Sequence, residues 1–360
     1  MPNIPMIYRT MTMIGAIQQM TPHSTFLRDR YFPCTPASDM FPTDEVLIEY
    51  RDGNRKIAPV VSPRKGGITV KRDGYTTKRF APPLVAPKRS LTIDDLNKKG
   101  FGENLFSQIT PEQREAQVLR QDLDELNIMI DGREEQMAAQ AMCTNSIVLR
   151  QYIDEYGGNN YEEFELAFYD GSNDETLYTT SGDWSDPDHS IYSDLRLMVK
   201  MLTKKGLPVE DLLFSANVGD YILNNNELKA MAENRRMNLV DITPIQLAPG
   251  ASRIGTINVD GHNINLISYD EQYEDEKTGE LEYFIPEDVV ILTASNAGRR
   301  LYGAVTQIEQ HDGVHHTYMA DRVPKYTADA DAEVRNLKVS AKPLPIPKNK
   351  GAWVHAKVTK

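Results

Sequence analysis

The chain has 360 residues, of which 40% are hydrophobic and 26% charged, and carries a net charge of −12. This is long enough to bury a core in two or three compact units and too apolar for a disordered chain. The acidic balance also excludes a nucleic-acid binder over its whole surface, because phosphate binding needs a positive face.

In chain order, the first forty residues read as an arm. Pro2, Pro5, Pro22, Pro33 and Pro36 leave room for a helix only from about Arg9 to Met20. A segment this rich in Pro and Met needs something to lie against. An extended ribbon follows, with VLIEYRDGNRKIAPVV and ITVKRDGYTTKRFAPPLV as its two arms and Gly66-Gly67 at the turn. At ~3.3 Å per residue it reaches on the order of 50 Å. Pro59, Pro63, Pro82, Pro83 and Pro87 prevent regular pairing along its full length.

The charge is concentrated here. Val46 to Lys99 holds thirteen Lys and Arg against five Asp and Glu, an excess of about +8 that leaves the remainder near −20. A basic segment on an acidic body favours head-to-tail association of identical chains, although charge alone also allows a solvated loop.

Thr110-Pro111-Glu112-Gln113 is a capping box with Pro at the first helical position. Leu119, Leu123, Leu126, Ile130, Met137, Ala141 and Val148 then form one apolar stripe, which predicts a helix over about 111–156, ending at Gly157-Gly158. At 1.5 Å per residue such a helix is nearly 70 Å long, against about 50 Å for the diameter of a compact globule of this size. An elongated plate is expected. The rest reads as a mixed α/β body. SIYSDLRLMVKMLTKKG is an amphipathic helix closing at Gly206, VGDYILNNNELKAMAENRR gives shorter helices, and RIGTINVDGHNINLISY is a hairpin about Asp260-Gly261. LEYFIPEDVVILTA supplies a strand, and NLKVSAKPLPIPKNKGAWVHAKV reads as strands broken by a Pro-rich basic piece.

Candidate chemistry is thin. His311, His315 and His316 are the best metal candidates, but a turn or strand around Gly313 does not present them together, and no HExxH pattern occurs. DGSNDETLYTTSGDWSDPDHS lacks the alternating acids and terminal Glu of a calcium loop. There is no GxxxxGK[ST], GxSxG or strand-linked GxGxxG, so no catalytic residue, cofactor or metal is assigned. Cys34 and Cys143 are too few for a disulfide framework, which fits a reducing compartment. No run of ~18 apolar residues is present, so no membrane partner is expected, and the Met-rich N-terminus lacks the charge pattern of a signal peptide. The basic pairs Arg64-Lys65, Lys71-Arg72, Lys78-Arg79 and Lys88-Arg89, with Phe80, are the candidate contact residues. They lack interleaved aromatics and a positive surround, so another copy of the chain is a better partner than nucleic acid.

Several stretches resemble one family in order and spacing. FLRDRYFP with DEVLIEY, IAPVVSP and TTKRFAPPLVAPK is similar to the arm-to-ribbon passage of the major capsid proteins of lambda-like tailed phages, the capsid protein E family. SGDWSDPDHSIYSDL, YDEQYEDEKTGELEYFIPEDVVILTASNAGRRLYG and SAKPLPIP resemble later parts of it, so the likeness runs from about Phe26 to about Pro347. It implies an α+β chain with the Johnson fold, the Hong Kong phage-type capsid fold. An N-terminal arm would occupy 1–45 and the extended β-hairpin loop 46–99. A peripheral domain with the long spine helix would take 100–190 plus 326–360, and an axial domain 191–325. It further implies hexamers and pentamers forming an icosahedral virion shell, assembled in the host cytoplasm around double-stranded DNA bound without sequence specificity. Decoration, scaffold and portal proteins are its implied partners. The alternatives are an encapsulin-like cage, a tail or other virion protein, and a hydrolase using the histidines near residue 315.

Overall fold

The structure is a computed structural model and describes residues 25–43, 45–51, 75–92, 111–152, 160–169, 176–233, 240–329 and 333–359. The expected helix near the N-terminus, the ribbon tip and Gly157-Gly158 lie outside these residues.

The long helix spans Pro111–Thr144 and runs uninterrupted through Gly132. Its 34 residues make it about 51 Å long. It stops earlier than the stripe predicts. Asn145 takes a left-handed conformation with φ of 55°, the usual device for ending a helix. Its side-chain carbonyl accepts from Trp353 Nε1 at 3.0 Å, which ties the turn to the C-terminal strand. The chain then enters the strand Ser146–Tyr152, antiparallel to Tyr161–Ala167. Val148, counted above in the helical stripe, is exposed between buried Ile147 and Leu149, a period of two and not of 3.6.

The centre of the molecule is an eight-stranded mixed sheet. Its main path runs Leu177–Thr179, Val354–Lys357, Val289–Thr293, Asp211–Phe214, His262–Tyr269, Ala251–Val259 and Val240–Asp241, and Ile245–Ala248 pairs beside the last hairpin. Consecutive residues of its central strands feed different cores, as the pleat requires. Leu212, Phe214, Leu266, Val290 and Leu292 pack with Trp184, Leu195, Met198 and Leu202. Leu213, Ile267 and Ile291 pack with Tyr31, Phe32, Met137 and Trp353. The first core lies under the amphipathic helices Ile191–Lys205, Ala216–Asn224 and Asn226–Glu233; the second lies under the long helix and the N-terminal residues. Gly206 closes the first of these helices with φ of 76°, and Asp260 and Gly261, both at positive φ, form the expected hairpin turn.

Three features depart from the reading of the sequence. The helices Phe26–Tyr31 and Pro36–Asp39 belong to the body: Phe26, Leu27, Tyr31 and Phe32 are buried in the second core. The strand Val354–Lys357, expected with the peripheral unit, sits inside the large sheet between Leu177–Thr179 and Val289–Thr293. The Pro-rich piece does not break a strand; Pro343–Pro347 is one, antiparallel to Gly298–Tyr302. Gly303 donates to the Lys342 carbonyl and Lys348 to that of Ala297, so residues 342, 344, 346 and 348 face the partner. The three prolines therefore point their missing N–H groups to the unpaired edge, where the loss costs no ladder bond.

A three-stranded sheet, Val323–Asp329, Val334–Ser340 and Lys88–Thr92, lies on the N-terminal half of the long helix. Leu337, Val339 and Ala341 pack there against Leu123, Leu126 and Ile130. The ribbon leaves as the antiparallel pair Val46–Arg51 and Tyr75–Phe80, rooted by buried Val46 opposite buried Phe80.

Gly298 marks the closest approach of the N-terminal segment to the Pro-rich strand. A Cβ there would overlap the Phe32 ring and lie 2.8 Å from the Ile346 carbonyl oxygen. Gly298→Ala is expected to destabilise the chain by about 1–3 kcal/mol, read as a lower urea midpoint at unchanged slope.

Candidate functional site

Three carboxylates of the long helix, Asp131, Glu134 and Glu135, are 2%, 1% and 1% exposed. Spaced three and four residues apart, they stand on the face that also carries Ile130 and Met137. Such groups are tolerated inside only when paired. Arg28, from the short helix Phe26–Tyr31, reaches Asp131 and, at 3.2 Å, Glu134. Arg322 reaches Glu134 at 2.7 Å and Asn127 at 2.8 Å, and it also binds Asp131. Tyr302 donates to Glu134 at 2.9 Å. Glu135 instead receives the backbone N–H groups of Leu27 and Arg28, at 2.8 and 2.9 Å, and the Tyr269 hydroxyl at 2.6 Å. One helix thus caps another and clamps the N-terminal segment, the segment 298–302 and the loop before Val323.

The electrostatics separate these neighbours. Burial pushes both carboxyls up. For Glu134, the guanidiniums of Arg322, Arg300 and Arg28 outweigh it and hold the group below the usual range. Glu135 has mainly neutral donors around it and stays raised. Tyr302 and Tyr269 are also raised, by burial and by the carboxylates they serve.

Two further buried carboxylates act likewise. Asp211 accepts from Arg30 at 2.7 and 3.0 Å, Tyr31 at 2.9 Å and Asn265 at 2.7 Å, joining the N-terminal segment to the central strand. Asp194 collects Tyr178, Ser181, Trp184 and His189 at 2.8–2.9 Å. Burial would raise this carboxyl, yet the donors hold it below its usual range. SGDWSDPDHSIYSDL is accordingly a loop tied around one aspartate. The thiols offer no nucleophile, since burial pushes Cys34 up to about 11 and Cys143 up to about 12.

The three candidate histidines are not brought together. His316 Nε2 lies 2.7 Å and His311 Nε2 3.5 Å from Asp312 Oδ2, whereas His315, next to His316 on the strand His315–Tyr318, points to the opposite face.

Of the candidate contact residues, Arg64, Lys65, Lys71 and Arg72 lie outside the described residues. Lys78 and Arg79 stand at the ribbon root; the Arg79 side chain is 75% exposed and only 3.9 Å from Glu45. Two of the candidates make contacts within the chain. Phe80 is 5% exposed and packs against Phe168 with ring centres 5.7 Å apart, so it is a core residue. Arg89 is bound within its own chain, to Asp122 at 3.0 Å and to Glu125, because its strand turns that face to the long helix. Lys88 faces the other way, directly opposite Lys338.

Sequence reasoning missed the buried ionic cluster. Its signal was present: Asp131, Glu134 and Glu135 fall in register with the apolar stripe of their helix, where a solvated acid has no place.

Among the described residues, these buried polar groups lock the chain's own elements to one another. The chain belongs to the phage major capsid protein E family, whose model matches residues 9–358. Among curated relatives, it is 21% identical to the major capsid protein of Escherichia phage lambda over 280 residues, covering 76% of this chain and 78% of the relative. It is 23% identical to the major capsid protein of Enterobacteria phage P21 over 198 residues, 52% of this chain, and spans about half (55%) of that relative's length. A prophage capsid protein of Escherichia coli CFT073 has the same fold, with a TM-score of 0.65 at 17% identity over 97% of this chain and 99% of that one.

Arg322→Met strands Glu134 and Asp131 and is expected to cost about 3–5 kcal/mol in urea unfolding. The acid limb of stability carries a second signature. Glu134, held below the ordinary glutamate value of 4.5, contributes stability that is present above that pH and lost as pH falls through its lower folded value. Glu135, raised above 4.5, contributes with the opposite sign as pH rises. Glu134→Gln should therefore be less stable at neutral pH, yet lose less stability than the parent below about pH 4.5; parallel pH profiles would refute the assignment.

Proposed function

We propose that this chain is the building block of a phage head shell, joining into hexamers and pentamers that tile an icosahedron around double-stranded DNA. The family match over residues 9–358 carries this reading. On it, the helix Pro111–Thr144 is the spine of a peripheral domain, and the large sheet with its three amphipathic helices forms the greater part of the axial domain. Residues 1–45 supply the arm, anchored by its buried end at Phe26–Phe32. Residues 46–99 supply the loop, rooted by Val46 and Phe80. Decoration, scaffold and portal proteins are its further partners, the virion its final place and the host cytoplasm its site of assembly.

The physics of the ribbon supports self-association. Its root is pinned, while its basic pairs have few acids of their own. Laid across acidic neighbours, many such weak contacts add into a closed shell. Among the described residues, Glu134, Glu135, Asp194 and Asp211 are each bonded to groups of their own chain, which favours a structural over a catalytic role.

Negative-stain electron microscopy of the chain, alone and co-expressed with its neighbouring phage genes, should show closed shells or capsomer rings. Uniform monomers in both would overturn the reading. Arg64→Glu with Lys65→Glu should lower particle yield while leaving the monomer's urea midpoint unchanged, and normal yield would remove the ribbon pairs from assembly.

A further inference from the structure

The three-stranded sheet beside the long helix carries an arrangement that costs the monomer stability. Lys325 is the register partner of Lys338, and Lys338 is the register partner of Lys88. Their chain neighbours Tyr326, Leu337 and Arg89 face the long helix, so the alternation of the strand puts all three lysines on the outer face. Like charges directly opposite across strands repel. Burial, with Lys325 and Lys88 as neighbours, pulls the Lys338 ammonium below its usual range. Among the described residues none of the three has a carboxylate partner, in a chain whose net charge is −12. The adjoining row is neutral, with Ser90 bonded to Asn336 at 2.6 Å. A positive row without a carboxylate partner among the described residues, with Lys88 exposed and Lys325 and Lys338 half-buried, calls for an anionic partner.

The same chain offers one. The hairpin of Gln272–Glu274 and Leu281–Tyr283 has Asp or Glu at 270, 271, 274, 275, 276, 280 and 282 against the single Lys277. Asp275 and Glu276 are taken by Arg150 and Arg133. Glu280 and Glu282 are exposed and, among the described residues, bind no cation; Glu282 accepts the Tyr273 hydroxyl at 3.0 Å. Two residues apart, they share one face with Cα atoms about 7 Å from each other. The lysine row spans about 10 Å on flexible stems. No ion pair joins row and hairpin within the chain.

We propose that the row Lys88–Lys338–Lys325 is a docking surface for the acidic hairpin 272–283 of a second copy, through Glu280 and Glu282. This rests on the shell reading and gives it one specific contact. The contact is head-to-tail, the kind that builds rings and lattices. It neutralises the cross-strand repulsion only on assembly, so the lysine row favours the assembled form over the free chain.

The test uses equal parts of ordinary and nitrogen-15-labelled full-length chain, co-assembled and treated with a water-soluble carbodiimide, which condenses an amine with a carboxylate in direct contact. Mass spectrometry should find mixed-isotope peptides linking Lys88, Lys325 or Lys338 to Glu280 or Glu282. Particles in which these lysines link elsewhere, or not at all, overturn the contact and leave the shell reading standing; failure to form any particle overturns both.

Lys338→Gln provides a sign test. Relief of repulsion should leave the monomer's urea midpoint equal or higher, while the concentration needed for assembly rises about tenfold. Unchanged assembly overturns the proposal. Lys325→Glu with Lys338→Glu should block assembly, and adding Glu280→Lys with Glu282→Lys in the same chain should restore it; no restoration overturns the pairing. Retention of a short DNA duplex by the parent, lost in Lys338→Gln at equal salt, would assign the row to nucleic acid instead.

Discussion

Everything in this fold leans on three buried carboxylates in two turns of one helix. Asp131, Glu134 and Glu135 cannot stay ionised inside without partners, and the partners come from three remote parts of the chain. Arg28 and the helix around it, Tyr302 on its strand, and Arg322 before the three-stranded sheet are held in one place by that demand. Apolar contacts alone tolerate sliding and repacking. Directed hydrogen bonds to a fixed carboxylate do not, so the cluster sets the register of the N-terminal segment against the long helix.

The large sheet has the complementary role of divider. Its pleat sends alternate residues of Asp211–Phe214 and Val289–Thr293 into two cores, one under the amphipathic helices and one under the long helix. Asp211 sits at the end of the first of these strands and binds Arg30 and Tyr31. The two halves are thereby coupled by a polar bond as well as by shared strands. A subunit that must carry load from its neighbours gains from such coupling, since neither half can yield alone.

Where the monomer is poorly optimised, its surface has another use. A sheet chosen for isolated stability would not align three lysines across three strands, nor would a soluble monomer leave Glu280, Leu281 and Glu282 exposed in succession. Both features become favourable once copies meet. Lys88 and Arg89 make the point in adjacent residues: Arg89 closes the fold on Asp122, and Lys88 stands opposite Lys338.

The sequence by itself determined the elements whose signals are local. The α+β class, the helix from Pro111, the helix closed by Gly206, the Asp260-Gly261 hairpin and the ribbon arms at Val46 and Phe80 all follow from periodicity, caps and turn residues. Order and spacing of its stretches carried the family. Tertiary structure alone decided where the long helix ends, because Asn145 and the alternation of Ile147, Val148 and Leu149 matter only once Trp353 and a partner strand arrive. It alone decided that FLRDRYF is buried in the core, since an Arg is buried only where acids wait for it. It alone turned PLPIP into a strand, by giving it an edge on which the missing N–H groups cost nothing. It also separated Phe80 and Arg89, which close the fold, from Lys88, which does not. Faces and partners are properties of elements already placed, and no window along the chain contains them.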